Sequence, residues 1–144
     1  MLQTNTLAAI EQYLLGLDAA KAADMRALHA FILGLNGQAQ LWFDDGKNTE
    51  NKTVSNPNIG YGNFTQIYAD GSAKEFFQIG ISANTTGISI YILGKKNKGY
   101  LAQHFGSTLG KAKITGYCIK FKNLQAINLD VLQAAILYGF ATED

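Results

Sequence analysis

Apolar residues recur every three to four positions at the start of the chain and every second position in its middle. The first segment, TLAAIEQYLLGL, sets Leu7, Ile10, Leu14 and Leu17 along one side of a helix. Gly16 and Asp18 interrupt it, and Asp18 is placed to cap a second helix, AAKAADMRALHAFILGL. In that helix Met25, Leu28, Ile32 and Leu35 share a face, and Gly34 and Gly37 mark its end. The many alanines favour the same assignment.

The period then changes. Leu41 to Phe43 reads as a short strand. Residues 44–58 are polar, contain the single proline and show no apolar period, so they read as one long loop. Loops of that length inside a compact domain are uncommon and often functional. Three segments with period two follow: IGYGNFTQIYA (59–69), KEFFQIGIS (74–82) and GISIYILG (87–94). The turn-forming pieces ADGS and ANTTG between them predict antiparallel hairpins. KGYLAQHFGSTLG predicts a short helix, and KITGYCIKFKNL (113–124) a further strand. NLDVLQAAILYGF predicts a closing helix, capped by Asn128, with Asp130 in its first turn and Leu129, Leu132 and Ile136 facing inward. The expected architecture is a single α+β domain over residues 1–144. It consists of an antiparallel sheet of about four to five strands with N-terminal and C-terminal helices packed on one face.

Alternation divides each strand into two sides. Ile88, Ile90 and Ile92 oppose Ser89, Tyr91 and Leu93; Phe77, Ile79 and Ile81 oppose Phe76, Gln78, Gly80 and Ser82. In the 113–124 strand, Thr115, Tyr117, Ile119 and Phe121 oppose Ile114, Gly116, Cys118, Lys120 and Lys122. The first set of each pair is assigned to the helix-covered core. The second sets are small or polar, with an occasional aromatic ring, and meet on the open side. The candidate ligand-binding residues are therefore Tyr61, Tyr91, Cys118 and Lys120, with Trp42 and Asp44 at the rim. Aromatic flats beside small residues and cations suit a planar small molecule or a peptide. The competing account is a sheet face covered by the 44–58 loop, or by a second copy of the chain in a homodimer.

Composition narrows the classes. At 47% hydrophobic and 16% charged residues, the chain is that of a folded protein. The formal charge of +1 gives no global attraction to nucleic acid or to a membrane surface. Seven of the cations follow residue 90, yet the single arginine, Arg26, lies far from them and no RNA-binding motif is present, so nucleic acid is not an expected partner. The one cysteine cannot form an internal disulfide, and no basic-then-apolar leader opens the chain, so a cytoplasmic protein is expected.

Candidate chemistry is sparse. Cys118 has a cation two residues along at Lys120, but no catalytic signature surrounds it, and it reads as a small half-buried thiol. The histidines, His29 and His104, form no pair with it in sequence. No CxxC or HExxH spacing occurs, and Asp44 and Asp45 read as loop residues, with Asp44 capping a turn. NIGYGN opens no helix and lacks a P-loop lysine. No acid–base or nucleophile pair assembles from spacing, so a non-enzymatic binding domain without metal or cofactor is expected.

From about Leu7 to Tyr138 the chain resembles the YdhG-like domains, small bacterial proteins of which some are described as frataxin-like iron chaperones. The resemblance rests on the helical N-terminus, NPNIGYG (56–62), the paired strands EFFQIGIS and GISIYILG, and above all LGKAKITGYCIKFKNLQAINLDVLQAAI (109–136). It implies an α+β fold with helices on one side of antiparallel strands, and it raises iron binding as an alternative function. Iron of that kind prefers a carboxylate-rich surface. The first two helices carry only Glu11, Asp18 and Asp24, countered by Lys21 and Arg26.

Overall fold

The computed structural model describes residues 2–141. Two helices open the chain, α1 (Leu2–Leu15) and α2 (Ala19–Leu35). Asp18 caps α2 as its sequence position predicts, its Oδ1 accepting from Lys21 N at 2.9 Å. The helix continues through Gly34 and ends at Leu35, where the N–H of Asn36 donates to Ile32 O.

Eight strands follow, with a short helix between the sixth and seventh: β1 (Leu41–Asp44), β2 (Asn58–Tyr61), β3 (Phe64–Ile67), β4 (Ala73–Phe76), β5 (Ile79–Asn84), β6 (Gly87–Ile92), α3 (Tyr100–Phe105), β7 (Ala112–Thr115) and β8 (Cys118–Phe121). Helix α4 (Leu129–Phe140) closes the described chain, and Asn128 caps it by accepting from Asp130 N and Val131 N. The main sheet is antiparallel in the order β1-β2-β5-β6-β8-β7, and β3 and β4 form a separate two-stranded sheet. The α+β class and the helices at both ends agree with the sequence. The strand count is higher than the four to five expected, because three predicted strands are each broken in two. Among the described residues no helix is long and apolar enough to cross a membrane.

The helices cover one face of the main sheet. Ile59, Ile79, Ile81, Ile88, Ile90, Ile92 and Ile119 meet Ile10 and Leu14 of α1, Met25, Leu28 and Ile32 of α2, and Leu132, Ala135 and Ile136 of α4 in one buried cluster. Each large aliphatic side chain buried there contributes roughly 1.5–3 kcal/mol. Two residues of the predicted stripes stand outside it: Leu7 is 50% exposed and Leu129 44% exposed. Leu7 lies in the second turn of α1 and Leu129 is the first residue of α4.

The segment 113–124 is a hairpin and not one strand. Gly116, at φ +57°, takes the first central position of a two-residue turn, a conformation that glycine adopts at no steric cost. The fold-back pairs Ile114 with Ile119 and Thr115 with Cys118. Ile114 thus joins the core side and Thr115 the open side, the reverse of a continuous alternation. The 44–58 loop is also more ordered than a structureless connection. Lys47 bridges Thr53, and Val54 N and Ser55 N both donate to Gly46 O, so it is a small hairpin set into the β1–β2 connection.

The third break shapes the molecule. Tyr61 pairs with Ile79; after two unpaired residues on each strand, Phe64 pairs with Phe76. No residue is inserted, so β2–β3 and β4–β5 are one long hairpin bent at Gly62–Asn63 and Phe77–Gln78. The outer part, β3–β4, is an arm. Gln78 holds the bend: its Oε1 accepts from Asn63 N at 3.3 Å, and its Nε2 donates to Phe140 O at the end of α4, also at 3.3 Å. Because Gln78 turns toward α4, Phe77 turns to the open side, where its ring lies across Gly60 and Gly80. Phe77 therefore belongs to the open face and not to the helix-covered core.

Candidate functional site

The sheet register lines up the open face. Trp42 pairs with Gly60, Gly60 with Gly80, Gly80 with Tyr91, Tyr91 with Cys118 and Cys118 with Thr115. Three of the six predicted site residues, Trp42, Tyr91 and Cys118, thus stand in a single cross-strand row. Lys120 is in the adjoining row, opposite Ser89 and Lys113. Asp44 is at the far strand, where its Oδ1 accepts from Gly46 N at 2.9 Å and shapes the loop turn. Tyr61 is not on this face. It pairs with Leu41 and Ile79, points into the core at 0% exposure, and its hydroxyl meets His29 Nδ1 at 2.6 Å. In the 59–69 segment Tyr61, Asn63 and Thr65 alternate with Gly62, Phe64, Gln66 and Tyr68, and neither set is cleanly apolar, which concealed its side.

One small ligand cannot span this row. Trp42 on β1 and Cys118 on β8 are four strands apart, about 19 Å at the usual strand spacing. Its middle is also occupied. An added Cβ at Gly60 or at Gly80 would lie 2.5 Å from the Phe77 side chain, so both glycines serve as the floor for that ring. Phe76 packs on Phe77 with centroids 4.1 Å apart and the rings tilted by 34°, and Trp42 packs edge-on against both at 6.1 and 6.4 Å. Trp42 is fixed further by donating from Nε1 to Gly62 O at 2.7 Å. The long loop touches this face through Pro57, whose carbonyl accepts from Ser82 Oγ. Ser82 is on β5, two strands from Cys118.

Cys118 is half-buried between Tyr91 and Thr115. Burial pushes its thiol up, outweighing the pull of the Lys120 charge and of hydrogen bonds with Ser89 and Tyr91. Burial raises the Tyr91 phenol as well. At neutral pH both groups are protonated, and Cys118 lacks the thiolate that nucleophilic chemistry requires.

A concave feature lies at the end of this face, where the arm bends away from the sheet. It is a groove of about 640 Å³. Its arm wall is formed by residues 64–68 with Lys74 and Phe76; its sheet wall is Leu93, Gly94, Lys95 and Lys96 beyond β6, with Tyr117 from the β7–β8 turn. Phe64 rests on Gly94, where an added Cβ would be 2.9 Å from the ring. Phe76 links the two regions, lining the groove and packing on Trp42.

None of the six predicted residues lines this groove. The sequence assigned Tyr117 to the core, but in the hairpin turn it faces the groove. Leu93 was assigned to the open side and Lys95 and Lys96 were counted among the cations after residue 90, but neither they nor Phe64, Tyr68 and Lys74 were named as site residues. The available signal was the Phe76–Phe77 pair beside Gly62–Asn63, where no alternation keeps both rings on sensible sides of one flat strand.

Elsewhere, His29 is lowered mainly by its burial, with the Arg26 charge adding to that, while the Arg26 guanidinium itself is held by Glu11 at 2.7 and 3.1 Å. Among the described residues no three of His, Cys, Asp or Glu come together as metal ligands. Comparison with family models, with curated proteins and with solved structures returns no match to this chain.

Proposed function

We propose that this protein is a non-enzymatic binding domain and that its ligand, a small molecule with an apolar body, lies in the groove between the arm and the main sheet. The groove's volume and lining carry this reading. About 640 Å³ falls within the range of small-molecule sites, and Phe64, Phe76, Leu93 and Tyr117 supply apolar and aromatic walls. The protonated state of Cys118 favours binding over nucleophilic chemistry on the same face. Kinship with YdhG-like domains is proposed on the residue patterns alone, those of the helical N-terminus, 56–62, the paired strands EFFQIGIS and GISIYILG, and above all 109–136, and it bears on fold more than on ligand.

Trp42 offers the test. It is the single tryptophan, and it packs on Phe76, which lines the groove. Apolar fragments that enter the groove should change its fluorescence and shift the NMR signals of Phe64, Phe76, Leu93 and Tyr117. Gln66→Trp, at an exposed strand position on the arm wall, should fill the groove and abolish those shifts while the melting temperature stays near the parent value. If no fragment moves these four residues, the reading fails.

The arm also supports a second reading, a protein partner or a second copy. Ile67 is 69% exposed and Tyr68 47% exposed near its tip, an apolar pair at the outer end of the groove that another chain would cover. Light scattering at twice 15.6 kDa would favour the homodimer; a monomeric mass would remove it.

A further inference from the structure

The fold-back at Gly116 also gathers charge. Read as one strand, residues 113–124 would send Lys113 toward the core, away from Lys120. In the hairpin Lys113 pairs directly with Lys120, and both are exposed on the open side. Lys111 and Lys122 continue the two strands beyond that pair. Both are exposed, and with Asn123 and Gln125 they border a hollow of about 480 Å³. Four cations thus collect at the end of the β7–β8 hairpin remote from its turn. The total charge of +1 conceals that concentration. The face is separate from the groove, to which this hairpin contributes only Tyr117.

Among the described residues none of the four forms an ion pair with Asp or Glu. Asp18 and Asp24 share a small cleft with Lys122, but Asp18 accepts from Lys21 N and Asp24 from Leu124 N. Like charges directly opposite each other on neighbouring strands destabilise a sheet. Lysine on an outer strand can prevent edge-to-edge pairing, and β7 is an outer strand. Lys120, on β8 between β6 and β7, serves no such purpose. We propose that this lysine face binds single-stranded nucleic acid through its phosphates, without base-sequence preference. A phosphate chain supplies a row of anions that several lysines contact at once, each as a point charge. Half-buried Tyr91 pairs with Cys118, two residues along β8 from Lys120. An unpaired base can stack on such a ring, whereas a base inside a duplex cannot. Protein interfaces are depleted in lysine, so an acidic protein is a poorer match. No large exposed apolar side chain on the hairpin is available to anchor it in a lipid surface.

Fluorescence anisotropy of a labelled oligothymidylate of about 20 nucleotides, titrated with the full-length protein at low salt, gives the readout. Binding should appear, and log Kd should rise with log salt with a slope of about 2–3, the value for three or four phosphates neutralised on a single strand. Lys120→Gln should weaken binding about two- to fivefold and lower that slope. Lys113→Glu should weaken it about five- to tenfold. Its melting temperature should stay at or above the parent value, because an opposite-charge pair with Lys120 replaces a like-charge one. Tyr91→Leu should weaken the oligothymidylate about fivefold and leave any binding of a duplex unchanged. No anisotropy change, or one that both lysine variants leave intact, would overturn the proposal. Equal affinity for a duplex, or indifference to Tyr91→Leu, would overturn the single-strand assignment. Tighter binding of polyglutamate or of anionic lipid vesicles would overturn nucleic acid in favour of an acidic protein or a membrane surface.

Discussion

Replacing Gly60 by alanine sets a methyl group against the most crowded part of the open face. The added carbon would lie 2.5 Å from Phe77 Cδ2 and Cγ and 2.8 Å from Phe77 Cβ. A ring can rotate away from an intruder, but its own Cβ is fixed to the backbone, so the clash cannot be relieved by a rotamer change alone. Overpacking of this kind costs roughly 1–3 kcal/mol. Alanine also restricts the unfolded chain, a gain of about 0.4–1 kcal/mol, so the net loss should be about 1–2 kcal/mol. Phe77→Ala removes a side chain that is 3% exposed, and such a truncation costs roughly 3–5 kcal/mol. In the double variant the new methyl occupies vacated space, so the overpacking disappears and the total should fall about 1–3 kcal/mol short of the sum. Guanidinium unfolding followed by far-UV circular dichroism measures all four proteins without relying on Trp42, which itself touches Phe77. Losses that add to within about 0.5 kcal/mol would refute the placement of Phe77 over the glycine pair. A core-side Phe77, as plain alternation predicts, would produce that additive result.

Two further outcomes follow from ionisation. Burial raises the Cys118 thiol, so iodoacetamide should alkylate it more slowly than an unfolded-chain thiol at neutral pH, and the rate should climb only above the ordinary thiol range; fast labelling at neutral pH would contradict its half-buried state. His29 is depressed by burial, so the unfolded chain binds its proton first. The stability linked to His29 is therefore fully present above its unfolded pKa, about 6.5, and is lost as pH falls through that value toward the lower folded one. Urea midpoints measured across that window should decline for the parent protein and stay flatter for His29→Gln; parallel curves would show that His29 does not supply the slope.

Much of the fold was legible because its signals are local. Asp18 and Asn128 cap helices by hydrogen bonds to residues two or three positions away. Ile88, Ile90 and Ile92 are buried on one side of β6, as alternation requires. The same rule put Tyr91, Cys118 and Lys120 on the open face. It failed wherever a strand turned out to be two. At Gly116 the chain folds back, so Thr115 and Ile114 exchange sides. At Phe77–Gln78 the alternation slips, carrying Phe77 outward and Gln78 toward α4.

The sequence by itself determined the α+β class, the helix caps and the sidedness of each unbroken strand, since all three depend on residues within a few positions of one another. Only the tertiary structure decided that Tyr61 faces inward to His29, that Phe77 closes the middle of the open face, and where the groove lies. The bend that creates the groove is fixed by Gln78 reaching Phe140, 62 residues later. Its walls bring together Phe64, Leu93 and Tyr117 from three separate parts of the chain. A hydrophobic period specifies which side of a strand is apolar; it carries no information about the angle at which two strands part, because that angle is set by packing between distant segments.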